Sequence, residues 1–132
     1  MKLWGIVLKF FRRRNNLGYK AETAAARFLR KEKKFKILQR NYRHKHLEID
    51  IVCFDKFSKS IVFAEVKCRP EHAKVRGYYS ATSKKKTENL RKCAKAFLRE
   101  NGAFNQNFRF SVVEVVHNEK GGFTSIELYE TH

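Results

Sequence analysis

LEIDIVCFDKFSKSIVFAEVKCR, residues 47–69, is the stretch on which the reading of the whole chain turns. Two runs rich in Ile, Val and Phe flank the polar DKFSK, which predicts a β-hairpin with strands over residues 47–54 and 60–67. Fourteen residues separate Asp50 from Glu65, so a symmetric hairpin is centred between Phe57 and Ser58. In that register the two acids are direct cross-strand partners, about 5 Å apart at Cβ. Alternation puts Glu48 and Lys67 on their face and leaves Ile49, Ile51, Cys53, Ala64, Val66 and Cys68 as an apolar core face. Charges set among so many apolar residues are costly to bury unless they are paired or bound to a metal.

The remaining chain supplies a scaffold for that hairpin. Residues 18–34 have helical spacing, with Ala21, Ala25, Phe28 and Leu29 on one face and Lys20, Arg27, Arg30, Lys31 and Lys34 on the other. Glu22 shares the stripe of Ala25, Ala26 and Leu29 and is expected to point toward the body of the protein. Residues 35–42 suit a strand, followed by a basic turn in which His44 and His46 read as exposed, phosphate-facing histidines. Pro70, the only proline, should end the second hairpin strand because it has no amide to give the ladder. After a loop with Gly77 and two tyrosines, residues 83–101 predict a second helix. Leu90, Cys93, Ala94, Phe97 and Leu98 form its buried stripe, Thr82 or Ser83 its cap and Gly102 its stop. Residues 109–116 and 123–129 read as two closing strands. The order α-β-β-β-α-β-β predicts an α/β fold with a mixed sheet.

Charge narrows the partner. The 132-residue chain carries a formal net charge of +17, which favours a polyanion, above all nucleic acid. Residues 1–46 hold 15 Lys and Arg against only Glu22 and Glu32, whereas residues 47–66 hold Glu48, Asp50, Asp55 and Glu65 against Lys56 and Lys59. An acidic island in a cationic protein suits a cation site beside a phosphate-binding surface. Two carboxylates facing each other across a hairpin repel unless a cation lies between them. Mg²⁺, which takes oxygen ligands and keeps positions for water and phosphate, suits such a pair. Lys67 can then orient or deprotonate a water. The competing reading is an Asp50–Lys67 or Glu65–Lys67 ion pair on a solvated sheet face.

Length allows one domain, here residues 17–132, preceded by a basic amphipathic segment over residues 1–16. That segment is too short to span a bilayer and has no small-residue cleavage site. Membrane contact through residues 1–14 is therefore the weaker expectation. Cys53, Cys68 and Cys93 have no metal-like spacing and are odd in number, as expected of a reduced, cytoplasmic protein.

Asp50 followed after fourteen residues by Glu65-Val66-Lys67 resembles the D…(D/E)xK signature of the restriction-endonuclease-like superfamily. The fuller set runs through Gly18, Ala21-Glu22, Ala25, Phe28-Leu29, Asn41-Tyr42-Arg43, Glu48-Ile49-Asp50-Ile51 and residues 63–69. With Lys86, Leu90 and Arg109-Phe110, it is similar to the YraN-like family of small bacterial predicted endonucleases over roughly residues 17–116. The resemblance implies an α-β-β-β-α-β core, a mixed central sheet flanked by helices. It implies Glu22, Asp50 and Glu65 as ligands of Mg²⁺ or Mn²⁺, and Asp50, Glu65 and Lys67 as catalytic residues, with Glu48 as an accessory acid. Arg43, Arg69, Lys84, Lys85 and Lys86 are expected to meet the phosphates. Leu47 stands where the family has Gly, and Ser111 where an Asp follows Arg-Phe.

The expected activity is hydrolysis of DNA phosphodiesters, DNA ahead of RNA, with branched or damaged DNA as conceivable substrates and no small-molecule cofactor. Nucleases of that superfamily often pair to cut two strands, which leaves a homodimer open. The alternative is a non-catalytic DNA- or RNA-binding module that keeps the fold.

Overall fold

A computed structural model of the chain describes residues 16–73 and 84–131. The basic segment ahead of Asn16, the two-tyrosine loop and the caps expected at Thr82 or Ser83 lie outside these residues.

Helix α1 (Leu17–Lys31) starts where Asn16 accepts a hydrogen bond from the Tyr19 amide at 2.7 Å. It closes three residues earlier than its charge pattern suggests. Lys34 is left-handed at φ 62°, and Phe35 returns its amide to the Leu29 carbonyl at 2.9 Å. Strands β1 (Lys36–His44), β2 (Leu47–Asp55) and β3 (Ser60–Pro70) follow. Helix α2 (Lys84–Glu100) then leads to β4 (Asn107–His117) and β5 (Phe123–Glu130). Gly102 takes φ 63° just past α2, the stop expected of it. The strands lie in the order β1-β2-β3-β4-β5, antiparallel except for the parallel β3–β4 pair that α2 connects. This is the mixed α/β sheet that the sequence predicts.

Helices cover both faces. Ala21, Ala25 and Leu29 of α1 pack on Ile51, Cys53, Val62, Ala64, Val113 and Val115. On the other face Cys93, Ala94, Phe97 and Leu98 of α2 pack on Tyr42, Ile49, Val52, Ile61 and Phe63. Phe97 meets the edges of Tyr42 and Phe63 at centroid distances of 5.2 and 5.8 Å. The hairpin therefore has no wet face: beside the turn, the face that carries the acids further along is a second core. The continuous apolar runs record burial on both sides.

Strict alternation fails at Asn41, with consequences for the site. Asn41 in β1 is left-handed at φ 54°, which reverses the pleat. Arg40 therefore faces Glu22 and Thr23 of α1, while Tyr42 packs under α2. β2 follows in register, Arg40 opposite Ile51 and Tyr42 opposite Ile49. Ile49 thus joins the α2-side core instead of the face of Ile51 and Cys53 expected for it.

Among the described residues, no helix is long and apolar enough to cross a membrane.

Candidate functional site

The β2–β3 ladder runs from Asp55 opposite Ser60 to Ile51 opposite Ala64, the predicted centre between Phe57 and Ser58. It stops one residue short of the expected Asp50–Glu65 pair. There the Asp50 carboxylate takes the place of a ladder partner, and its Oδ2 accepts the Val66 amide at 2.8 Å. Beyond this point β3 continues to Pro70 paired with β4 alone. The opening between β2 and β3 is where the predicted acids gather.

Asp50 is pushed up to about 7 from its ordinary 3.8. Burial is the main cause; the Val66 amide works against it, and the neighbouring Glu22, Glu65 and Glu48 raise it further. Glu65, on the facing strand, holds two lysines at one oxygen: Lys86 Nζ at 2.9 Å and Lys67 Nζ at 3.4 Å from Oε1. Its other oxygen, Oε2, is buried without a hydrogen-bond partner. Burial pushes the Lys67 ammonium below its usual value, helped by the hydrogen bond from Lys86 and opposed by Glu65. Lys86 moves upward: burial opposes its charge, and the contacts with Lys67 and Glu65 outweigh it. The two lysines are thus shifted in opposite directions, Lys67 down and Lys86 up.

Glu22 reaches the same cluster from α1. Its carboxylate lies 4.0 Å from Arg40. Asn41, in the amide orientation that its acceptors dictate, donates to Glu48 Oε1 at 2.9 Å and to Glu22 Oε2 at 3.2 Å. Glu48 is also paired with Arg43 at 3.1 Å. The left-handed backbone that reverses the pleat thus also aims the Asn41 amide between two acids. Sequence reasoning placed Asn41 in a family pattern without a role. The signal that marks it is an Asn inside a strand that faces the acids, since Asn is among the few residues at ease with positive φ.

Of the five residues expected to meet phosphates, three are committed within the protein. Arg43 holds Glu48, Lys86 holds Glu65, and Arg69 is turned inward onto the buried Glu114 at 3.1 Å and the carbonyls of Pro70 and Ala73. Lys84 and Lys85 are exposed at the start of α2. The two departures from the family pattern are both packed within the fold. Leu47 packs against the α2-side core. Ser111 is buried and donates to Glu130 at 2.6 Å, within a network that includes Arg109 and Asp55.

The acids do not stand as a finished metal cage: among the described residues, no three His, Cys, Asp or Glu side chains are grouped to hold an ion. The donor set does suit one. Carboxylate oxygens are what Mg²⁺ takes, and Glu65 Oε2 is an orphaned buried acceptor.

Comparison with known proteins bears on the same residues. The profile of the uncharacterised protein family UPF0102 matches residues 21–115, which span Glu22, Asp50, Glu65, Lys67 and Lys86. A UPF0102 protein of Caldicellulosiruptor saccharolyticus is 38% identical over 116 residues, covering 87% of this chain and 94% of its own. One from Pelotomaculum thermopropionicum is 35% identical over 117 residues, with 89% and 94% covered. One from Chlorobium phaeobacteroides is 35% identical over 105 residues and 80% of each chain. With most of its length matched in this way, the chain belongs to the uncharacterised protein family UPF0102.

Proposed function

We propose that this protein is a metal-dependent endonuclease that hydrolyses nucleic-acid phosphodiesters, DNA before RNA, at the opening between β2 and β3. The observation that carries the reading is the pairing of opposite perturbations in one place. Asp50 is held up to about 7 among three other acids, beside a lysine held below its usual value. Such opposed shifts in a cluster of titratable groups are a mark of acid–base sites. Asp50 and Glu65 would hold Mg²⁺ or Mn²⁺, with Glu22 and the accessory Glu48 adding negative charge around them. A bound divalent cation supplies Lewis acidity at the phosphate and lowers the pKa of water.

The chain's own residues account for the other steps. Lys67, whose ammonium burial holds below its usual value, would in its neutral form take a proton from the attacking water as the water oxygen bonds to phosphorus, the bond to the leaving oxygen breaks and that oxygen is protonated from solvent. The Val66 amide holds Asp50 in place. The three cysteines are free, as suits a reducing compartment such as the cytoplasm.

The test is a panel of duplex, flap, junction and single-stranded substrates with Mg²⁺ or Mn²⁺, run on the wild type, Asp50→Ala and Lys67→Ala. Metal-dependent cleavage lost in both variants while binding survives is the expected result. Intact substrates under every condition would remove the enzyme reading. One observation favours the alternative, a binding module that keeps the fold without cutting: Lys67 and Lys86 already compensate Glu65 without a metal. That reading predicts nucleic-acid binding that is indifferent to chelation of divalent ions.

A further inference from the structure

Arg43, Arg69, Lys67 and Lys86 spend their charge on carboxylates of this protein, so a polyanion needs other cations. The structure gathers them in a cleft of about 430 Å³ between the β1–β2 turn and α2. Lys45 and His46 form one wall, Lys92, Lys95 and Arg99 the other, and Leu47 lies between. These five charged or imidazole side chains are exposed, His44 and Asn89 complete the polar lining, and the lining drawn from the described residues contains no acid.

We propose that this cleft is the track for the phosphate backbone of a nucleic-acid strand as it leaves the β2–β3 opening. The inference rests on the nuclease reading for its direction, and three features on the page carry it. Lys92, Lys95 and Arg99 recur at i, i+3 and i+7, so they form one stripe along α2. The stripe is about 10 Å long, so its three cations lie along one line and can meet successive phosphates of one strand. The cleft also adjoins the acid cluster along both of its elements. Leu47 immediately precedes Glu48 on β2, and Asn89, another lining residue, is one helical turn beyond Lys86 on α2. Finally, the cations around the acid cluster are already paired with it, Arg40 with Glu22, Arg43 with Glu48 and Lys67 and Lys86 with Glu65, which leaves the exposed cations of the adjoining cleft for phosphate.

The experiment measures anisotropy of labelled DNA and RNA single strands of about 16 nucleotides, with a chelator present so that nothing is cut. The cleft variant is Lys92→Glu/Lys95→Glu/Arg99→Glu. A second triple with the same change of charge, Lys20→Glu/Arg27→Glu/Arg30→Glu on the exposed side of α1, controls for net charge, and thermal melts confirm that both fold. The cleft triple is expected to bind at least about tenfold more weakly than the control triple, with its log–log salt slope flattened by about 2, the loss of three contacts at about 0.7 each. Selective weakening with either nucleic acid supports the track and says which sugar it accepts. Equal weakening by the two triples, wild-type binding by the cleft triple, or no binding by the wild type overturns it. A cleft that passes this test in a protein that cuts nothing would leave the track standing and remove the nuclease reading alone.

Discussion

Asp50 and Asp55 lie on the same strand, and both are withdrawn from bulk water, yet they are held in opposite ways. At the hairpin turn, burial would raise Asp55, but the Ser58 hydroxyl, Arg109 and the Phe57 and Ser58 amides outweigh it and hold the carboxyl below its usual range. Arg109 is itself fixed by Glu130, which also accepts from Ser111. At the open end, Asp50 has the Val66 amide and three acids for neighbours, and it stands at about 7. A satisfied acid closes the turn; an unsatisfied one sits where the strands part. The difference teaches that burial alone does not mark a functional acid, whereas burial with too few donors does.

The largest expected effect separates the two aspartates by activity. Asp50→Ala and Lys67→Ala are predicted to lose cleavage by roughly 10²–10⁴-fold, the usual worth of a positioned acid or base. Asp55→Asn is predicted to cut within a few-fold of wild type at temperatures well below its melting point. Turnover of one nicked or branched substrate, measured for all three proteins, decides it. Equal loss in Asp55→Asn would end the division of labour.

Stability should run the other way. Asp55→Ala leaves Arg109 without its short contact and the turn amides without an acceptor, at a cost of about 2–4 kcal/mol. Asp50→Asn removes a carboxyl that the fold tolerates poorly and should stabilise the protein at neutral pH. The pH dependence fixes the sign. Asp50 is raised from 3.8 to about 7, so the native state binds the extra proton between those values. Stability is therefore full below about 4, falls as pH rises to about 7 and is level above. The upper bound is about 4 kcal/mol, from roughly three pKa units. Asp55 is lowered, so its contribution is present above its unfolded value of 3.8 and is lost only as pH falls through its folded pKa. Urea melts between pH 4 and 8 should show the decline in wild type and its flattening in Asp50→Asn. An unchanged decline would place its origin elsewhere.

Divalent cations should sharpen the contrast by a smaller amount. At about pH 8, Mg²⁺ or Mn²⁺ well above its dissociation constant is predicted to raise the melting temperature by a few degrees, since binding to the native state alone stabilises by mass action. Asp50→Asn should lose this rise and Asp55→Asn should keep it. A rise that survives in Asp50→Asn would put the ion somewhere else.

Much of this arrangement can be read from the chain. The hairpin centre, the two helices, the mixed sheet and the placing of Asp50, Glu65 and Lys67 on one hairpin follow from spacing and alternation, which are local properties, whereas Glu22 joined them through the family resemblance. Asn41 escaped because a left-handed residue inside a strand breaks the alternation on which such reasoning depends, and it carried Ile49 to the other face. Ser111 stood out as the loss of a family charge of unknown role. Its true neighbour is Glu130, brought in by the β4–β5 pairing, and that carboxylate serves Arg109 near the turn. Arg43 and Arg69 looked available for phosphate because their partners, Glu48 across a turn and Glu114 on another strand, depend on tertiary register. Lys86 belonged to the family pattern, but its partner, Glu65, depends on how α2 docks on the sheet.

Lys86 also gives the smallest and most discriminating test of the open end. Its ammonium sits at 2.9 Å from Glu65 Oε1, on the residue proposed to hold the metal. Ammonium and divalent cation then compete for one carboxylate, and Lys86→Met, similar in length and without charge, removes the competitor. The apparent affinity for Mn²⁺, read by calorimetry or by Mn²⁺ resonance in the absence of substrate, is predicted to rise by a few-fold. Stability should fall by no more than about 1 kcal/mol, since the lysine is partly exposed and its pair is screened. The same change at Lys85, the exposed residue immediately before it, should move neither quantity. A fall in Mn²⁺ affinity would mean instead that Lys86 holds Glu65 in the orientation the ion needs. The open end would then resemble Asp55's turn after all, with its acid positioned by a permanent cation.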